Sequence, residues 1–394
     1  MPTANRWIIL CIAIIAQIAT ASAMFGVPFV LPALRDTYGL NIAQAGTLAG
    51  LPGLGLLSTL VGWGVIIDRY GERVTMSLSL FLTASLLLSL HLVDGPVGVG
   101  VVLALVGAAG GPVNAASGRL VLGLFAWQER GLAMGLRQAA LPLGLGMAAA
   151  VLPAVAQDHG FVAAMTVPAA LALVVLPLVV VLAKAPTPDE APEQQPLRSR
   201  DSQGSPYRRL RIWRVHSVSM LLAVPQFTVT TYSLVYLVEE HGWAEPAAGA
   251  LIAVGQVVGA LARMGAGAWS DRAGSRLGPV RLIAVTSGSA LLALTIAALV
   301  FPVAAVVLLL SCLVLGMAHN GLMFTAVAET AGMVWAGRAM AIQNSLQAVS
   351  STLTPMLMGV VIQVAGFAIA FGTAAAFCGL AAAVVPLRHR AAQN

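Results

Sequence analysis

Long apolar runs separated by short charged loops dominate this sequence and most strongly limit what it can fold into. Charged residues make up 9% of the chain and apolar residues 59%, whereas a soluble domain carries about 25% charged residues. So few charges cannot cover a water-facing surface for 394 residues. The chain is therefore expected to lie mostly in lipid.

Twelve of the apolar runs are long enough to be membrane helices, because one span needs about 20 apolar residues. The first six predicted spans cover residues 7–33, 44–67, 74–92, 98–125, 131–156 and 160–183. The second six cover residues 213–238, 247–269, 280–300, 302–330, 338–365 and 367–387. The first run is too long for the apolar part of a signal peptide, so we interpret it as a retained helix.

A polar segment rich in proline separates the two sets of spans. Residues 184–212 cannot form an apolar core, so we expect a cytoplasmic linker between an N-terminal bundle, 1–183, and a C-terminal bundle, 213–394. With both termini inside, Arg35 is the one basic residue in an exterior loop, and the interior loops are rich in arginine. This bias predicts a multi-pass protein of the cytoplasmic membrane with both termini in the cytoplasm.

The two halves share a sequence pattern. GVIIDRYGER from Gly64 aligns with GAWSDRAGSR from Gly267, a shift of 203 positions. RGLAMGLRQ from Arg130 aligns with AGRAMAIQN from Ala336 at a shift of 206, which also carries Asn114 onto Asn320. Matches that keep their order along both halves predict an internal repeat around a central path.

These paired loops resemble the major facilitator superfamily, in which G-x-x-x-D-R-x-G-x-R joins the second and third helices. The motif residues are Gly64, Asp68, Arg69, Gly71 and Arg73 in the first half and Gly267, Asp271, Arg272, Gly274 and Arg276 in the second. Glu72 departs from the pattern, since the family often has a second basic residue there. The resemblance implies an all-α membrane protein, usually monomeric, with twelve transmembrane helices in two pseudo-symmetric six-helix bundles. It does not specify a substrate.

The resemblance also implies that the loops are latches on the cytoplasmic side, with Asp68, Arg73, Asp271 and Arg276 in that role. Sugar carriers of the superfamily have a glutamate that pairs with the latch arginines. Glu329 resembles this residue, and Arg338 follows nine positions later. The alternative is that the loops only determine topology.

Three arginines, Arg119, Arg137 and Arg263, fall inside predicted spans, where charge is costly. If they face the path, they could bind an anionic substrate by charge-assisted hydrogen bonds. Carboxylate carriers of the superfamily have an arginine in the eighth helix, which Arg263 resembles. The alternative is structural pairing, or snorkelling of the side chains toward the cytoplasm.

Polar side chains on the predicted inner helices form a second group of candidates. They could bind a substrate near the midplane between the halves or join helices to one another. These candidates are Asn114, Gln138, Gln226, Tyr232, Gln256, Asn320, Asn344 and Gln347. His319 is the candidate for proton coupling, because histidine titrates near neutral pH; a structural core histidine is the alternative.

No phosphate loop, zinc-ligand spacing or nucleophile elbow occurs in the sequence. We therefore expect neither an enzyme nor a cofactor or metal, and the basic composition indicates orientation rather than nucleic-acid binding. The leading hypothesis is a secondary active transporter, a symporter or antiporter, that moves a small anionic or polar organic solute by alternating access. Protons are the candidate coupling ion.

Two alternatives remain open. The first is an efflux carrier of the drug/proton antiporter type for hydrophobic compounds. Leu141 precedes Pro142 where such carriers have a glycine-proline motif, and the first span lacks an acidic residue, which disfavours this reading. The second is a receptor or scaffold that transports nothing.

Overall fold

The computed structural model describes residues 3–125, 127–183, 205–332 and 335–386. Within these ranges the chain is helical and has no β-strand. Most of the predicted linker, 184–204, lies outside the described residues. The rest of it forms a 3-10 turn, Pro206–Arg208, and the beginning of the next helix.

Twelve α-helices, numbered in chain order, make up the described chain. The first seven are α1 (Thr3–Phe25), α2 (Leu31–Tyr38), α3 (Ile42–Ser89), α4 (Gly95–Gly110), α5 (Pro112–Leu124), α6 (Trp127–Gln138) and α7 (Ala140–Leu182), with 3-10 turns at Val27–Val30 and Leu90–Leu92. The other five are α8 (Leu210–Glu239), α9 (Glu245–Arg272), α10 (Leu277–Val300), α11 (Pro302–Ala331) and α12 (Ala336–Val384).

Three of these helices are too long for a single crossing of the membrane. Helices α3, α7 and α12 have 48, 43 and 49 residues, which is about 65–75 Å of helix against a hydrocarbon core of about 30 Å. Each contains one glycine with a non-helical backbone: Gly71, Gly160 and Gly366, with φ between 80° and 83°. Each is therefore two spans joined by a tight glycine turn.

Nine helical stretches of the described chain are long and apolar enough to cross a membrane. Dividing the three long ones at their glycines makes twelve, in agreement with the predicted number. The all-α membrane fold expected from the sequence is confirmed.

The backbone repeats where the sequence predicts that it should. Gly39 and Gly242 have φ of 63° and 66° and are 203 positions apart, and Gly160 and Gly366, at 83° and 80°, are 206 positions apart. These are the same two shifts that relate the sequence motifs. The halves therefore share the positions of their turns as well as their motifs.

We call the face of the bundle that carries the loops 68–73 and 271–276 the latch face, and the other end the opposite face. Near the opposite face, α3 packs along α12 and α7 along α9. Side chains at Gly46 or Gly249 would collide with the Tyr232 hydroxyl and the Ala149 carbonyl oxygen, respectively. Small residues at these positions allow the two halves to meet closely.

Polar contacts also join the halves at the opposite face. Arg35 at the end of α2 forms an ion pair with Glu239 at the end of α8. The backbone N–H of Ile42 donates to Oε1 of Gln363 across 3.2 Å. The central path is therefore closed on this side.

At the latch face the halves stand apart. Among the described residues, every ion pair on this face lies within one half, for example Arg6 with Glu129 at 2.7 Å. Gly64 and Gly267 lie at the ends of spans from the two halves. A Cβ atom added at either glycine would meet no other group within 4 Å. The structure is therefore closed at the opposite face and open at the latch face.

The Gly366 turn offers a test of the span boundaries. Gly366→Ala places a side chain at φ 80°, ψ 172°, a backbone region that is essentially restricted to glycine, so we expect a loss of about 1–3 kcal/mol of stability. Thermal unfolding in detergent measures this loss. Gly379→Ala, in a helix and with open space around the added methyl, is the control and should leave the melting temperature unchanged or slightly raised.

Candidate functional site

Arg137 is the centre of a polar network inside the first half. It lies next to the end of α6 and is 5% exposed. Its Nη1 donates to Oδ1 and to the carbonyl oxygen of Asn114, both at 2.9 Å, to Gln17 Oε1 at 3.1 Å and to Ser117 Oγ at 3.2 Å. Its Nη2 donates to Gln138 Oε1 at 3.3 Å. Arg137 is thus held by three helices.

All these partners of Arg137 are uncharged. Hydrogen bonds to neutral oxygens orient the guanidinium but do not neutralise it. Its Nε has no partner in the described chain. The guanidinium packs against the backbone of α5, since a side chain at Gly118 would lie about 3.6 Å from the guanidinium carbon, an ordinary van der Waals distance. The first half therefore holds a buried positive charge that has no counter-ion among the described residues.

The second half contains a related network of amides. Asn320 Nδ2 donates to Gln226 Oε1 at 2.8 Å, and Gln347 Nε2 donates to Asn320 Oδ1 at 2.9 Å. In the first half, Gln17 Nε2 donates to Asn114 Oδ1 at 3.1 Å. Each half thus joins a glutamine of its first span to an asparagine of its fourth, which accounts for the equivalence of Asn114 and Asn320.

Arg263 on α9 is a basic residue within a membrane span of the second half. It is partly buried, lies over Gly321 of α11, where a side chain would come within 3.5 Å of its Nε, and has no hydrogen-bond or ion-pair partner in the described chain. Each half therefore holds a guanidinium group, Arg137 or Arg263, that has no carboxylate partner in the described chain.

Gln256 lies two turns from Arg263 on the same helix and packs against α7. It is 1% exposed, and neither its amide nitrogen nor its amide oxygen has a partner in the described chain. Gly146 of α7 is its neighbour there, since a side chain at Gly146 would lie 3.5 Å from Gln256 Cβ. An unpaired buried carboxamide is costly, so Gln256 can bond a group that enters between the halves.

Tyr232 and Asn344 stand apart from these networks. Tyr232 is fully buried, and its hydroxyl donates to the Pro355 carbonyl oxygen, so it joins α8 to α12 in the closed part of the bundle. Asn344 is exposed and makes no hydrogen bond in the described chain. Neither contributes to the group around the two arginines in this state.

Arg119 lies in the first latch and not beside Arg137. It forms ion pairs with Asp68 and, at 2.9 Å, with Glu72, so its charge is already neutralised. The sequence grouped Arg119 with the substrate candidates, but the structure groups it with the loop. Glu72, the departure from the family pattern, is explained as the second partner of Arg119.

The second latch is centred on Arg276. Its Nε donates to Glu329 Oε1 at 3.0 Å and its Nη1 to Ser270 Oγ at 2.6 Å, and it also pairs with Asp271. Partial burial lowers the pKa of Arg276, but its bonds to Asp271 and Glu329 outweigh this and raise the pKa above its ordinary value. The expected contact between Glu329 and a latch arginine is present.

The latches differ between the halves. Arg73, the repeat partner of Arg276, is exposed and has no partner in the described chain, because Arg119 occupies the carboxylates of the first loop. The other latch arginines are also exposed. Arg69 lies 5.5 Å from the Tyr70 ring, Arg338 lies 5.0 Å from the Trp335 ring, and Arg272 points to solvent.

His319 faces the interior of the second half. It is 1% exposed, and its Nε2 has no partner in the described chain. A small cavity beside it is lined by side chains of α8, α10, α11 and α12, among them Pro225, Ser287 and Cys312. A role of His319 in proton coupling stays a prediction.

The sequence interpretation did not include four residues of these networks, Gln17, Glu72, Ser117 and Ser270. Gln17 is the one carboxamide of the first predicted span, and that isolation is the signal that could have identified it. Glu72 was noted only as an exception to the motif. Both contact residues about fifty to a hundred positions away, so their partners could not be read from local spacing.

The sequence pattern of the Major Facilitator Superfamily matches residues 13–336. Two curated relatives are 38% identical over 388 residues, with 97% of this chain and 85% of each relative covered. They are the uncharacterized MFS-type transporters Rv2994 and MT3072 of Mycobacterium tuberculosis strains H37Rv and CDC 1551. The chain belongs to the major facilitator superfamily and is a multi-pass membrane transporter.

Solved structures confirm the fold. A bacterial homologue of the human lysosomal transporter Spinster, in an inward-facing and unoccupied conformation, matches with a TM-score of 0.82 at 13% identity, covering 98% of this chain and 97% of that one. A mutant of the nucleoside transporter NupG matches with a TM-score of 0.75 at 14% identity, covering 97% and 99%. At these identities the likeness concerns the fold alone.

Asn114 offers a test of the first network. Asn114→Ala removes the side-chain acceptor shared by Arg137 and Gln17, so we expect a loss of about 1–3 kcal/mol. Thermal unfolding in detergent is the measurement. Asn344→Ala, the same change at an exposed amide, should have no effect, and equal melting temperatures for the two variants would contradict the network.

The latch offers a second test. Glu329→Gln removes the charge that pairs with Arg276 while keeping a similar shape, and should destabilise the latch-face ends of α10 and α11 relative to each other. We expect amide hydrogen exchange around 271–280 to rise several-fold. Glu129→Gln, which breaks an ion pair of the first half, should leave exchange in this segment unchanged.

Proposed function

We propose that this chain is a secondary active transporter of small organic anions, and that Arg137 and Arg263 hold the anion between the two halves. The observation that carries the proposal is that Arg137 in the first half and Arg263 in the second half have no carboxylate partner in the described chain. A charge in this setting is costly unless it is compensated. A bound anion would supply the missing counter-ion.

The chemistry of the two side chains suits carboxylate or phosphate groups. A guanidinium presents planar, paired donors that match the oxygens of such anions. The surrounding amides of Asn114, Gln138, Asn320 and Gln347 can bond the hydroxyl or carbonyl groups of an organic anion. Gln256 adds an amide that has no partner inside the protein. A hydrophobic efflux substrate would leave the two guanidinium charges and the amide of Gln256 uncompensated.

Transport would follow alternating access. The structure is open at the latch face and closed at the opposite face, so an anion enters or leaves through the latch face in this state. On closure of the latch face, the ion pairs of Arg119 and Arg276, which now lie within single halves, would exchange partners. When substrate binds, the two bundles would rock about the arginines, and this movement completes the cycle. The bundles are residues 1–183 and 213–394.

We assign the latch face to the cytoplasm. The support is the bias of basic residues, since the loops of this face and the chain termini hold most of the arginines and the opposite face holds Arg35. The protein would thus lie in the cell membrane with both termini inside, as a monomer. Protons are the candidate coupling ion in the proposed cycle, with His319 as their candidate site.

Uptake by purified protein in liposomes tests the anion site. The probes are labelled lactate, succinate, inorganic phosphate and glycerol 3-phosphate, each at a concentration below saturation. We expect Arg137→Ala and Arg263→Ala to reduce uptake of the accepted probe at least tenfold, because each removes a charge-assisted contact, about 1.5–3 kcal/mol.

Arg281→Ala is the matched control, since Arg281 is an exposed arginine at the beginning of α10, outside both networks. It should transport as the unmodified protein does. Uptake that survives both site substitutions would contradict the proposal, as would a protein that transports none of the four probes.

A further inference from the structure

We infer that the junction between the 3-10 turn Pro206–Arg208 and helix α8 binds the headgroup of an anionic phospholipid in the leaflet at the latch face. The junction lies outside the polar networks of Arg137 and Arg263, so this binding would be the same whichever solute the protein carries. The residues that form the junction are Arg208, Arg209, Leu210, Arg211 and Trp213.

The beginning of α8 extends beyond the hydrocarbon core of the membrane. This helix, Leu210–Glu239, has 30 residues, which is about 45 Å of helix against a core of about 30 Å. Glu239 forms its ion pair with Arg35 at the opposite face. About ten residues are therefore left for the other end, and the first turns of α8 lie at the depth of the lipid headgroups.

Three guanidinium groups of the junction are available to a ligand. Arg208, Arg209 and Arg211 are exposed, and none of their side chains has a hydrogen-bond or ion-pair partner among the described residues. Arg214 differs, because its Nε donates to the carbonyl oxygen of Val384 at 3.0 Å and so attaches this end of α8 to α12. A guanidinium has paired donors that match the oxygens of a phosphate group. An anionic headgroup would therefore bond donors that the described chain leaves to solvent.

Aromatic contacts hold in place the turn that presents these arginines. The Tyr207 ring stacks on His216 with ring centroids 6.0 Å apart, and it forms T-shaped contacts with Trp213 at 5.3 Å and Trp335 at 6.3 Å. Trp213 Nε1 donates to the Tyr207 carbonyl oxygen at 3.1 Å, and the Tyr207 hydroxyl lies 3.3 Å from His216 Nε2. His216 Nδ1 in turn lies 2.7 Å from Gln343 Oε1 of α12. The junction is thus packed against the second half.

Two large apolar side chains lie beside the arginines. Leu210 and Trp213 are 74% and 48% exposed and, three positions apart, they lie on one side of the helix. Exposed apolar surface is unfavourable in water, whereas tryptophan is favoured at the membrane interface. Guanidinium groups next to such side chains match a phospholipid, in which a charged headgroup is joined to apolar chains. A water-soluble anion would match the guanidinium groups alone.

Native mass spectrometry of the full chain in detergent tests this site. Dioleoyl phosphatidylglycerol and dioleoyl phosphatidylcholine, which have the same chains, are titrated in turn, and the Kd of the bound lipid is measured. Each arginine near an anionic lipid strengthens binding about fivefold, so we expect phosphatidylglycerol to bind at least tenfold more tightly. The triple variant Arg208→Gln, Arg209→Gln, Arg211→Gln should lose this preference.

The matched control is the triple variant Arg69→Gln, Arg272→Gln, Arg281→Gln, since these arginines are also exposed near the latch face and the same charge is removed. It should keep the preference for phosphatidylglycerol. An equal loss in both triple variants would overturn the site, because any basic surface would then serve. Equal binding of the two lipids to the unmodified protein would also overturn it, and would leave the acidic side chains of residues 189–201 as the alternative partners.

A second measurement locates the lipid and keeps the net charge constant. Phosphatidylglycerol with brominated chains, as a minor fraction of a phosphatidylcholine nanodisc, should quench Trp213 fluorescence more strongly than the same fraction of brominated phosphatidylcholine. The Trp213 signal is the difference between the unmodified protein and Trp213→Phe. Tyr207→Ala removes the ring that holds the turn and should reduce the excess quenching at least twofold. Quenching that is equal for the two lipids, or that Tyr207→Ala leaves unchanged, would contradict the inference.

Discussion

The cost of an uncompensated charge in hydrocarbon organises this protein. It places the acidic residues of the described chain at or near helix ends and glycine turns, where water or an arginine can reach them. It also explains the crowded surroundings of Arg137, whose guanidinium is held by oxygens of Gln17, Asn114, Ser117 and Gln138. These oxygens lower the cost of burial without cancelling the charge, and the remaining charge is the basis of the proposed anion site.

Glycine serves this fold in two different ways. Gly71, Gly160 and Gly366 have positive φ values and reverse the chain between consecutive spans without a loop, which explains why three helices are twice the normal length. Gly46 and Gly249 have no side chain to separate the halves where they meet at the opposite face. The first use makes compact bundles, and the second lets the bundles close against each other on one side while they stand apart on the other.

The two latches show how a repeated sequence can produce unequal contacts. The loop motifs match at a constant shift, yet Arg276 binds the carboxylates of its own loop and of Glu329, whereas its repeat partner Arg73 is exposed. In the first half Arg119, from a different helix, takes the place of Arg73, and Glu72 becomes its partner. Both latches therefore contain an arginine paired with carboxylates, but the paired arginine comes from a different position in each half.

The sequence alone determined the number of spans, the repeat and the superfamily, because hydropathy and glycine conformation act locally along the chain. It also identified Arg137, Arg263 and the amide pair Asn114 and Asn320 as candidates, because polar groups at membrane depth are costly and so indicate a structural or functional role. Only the tertiary structure decided that Arg119 is neutralised while Arg137 and Arg263 are not. Compensation of a charge depends on distances between helices far apart in the chain, and those distances exist only once the helices have packed.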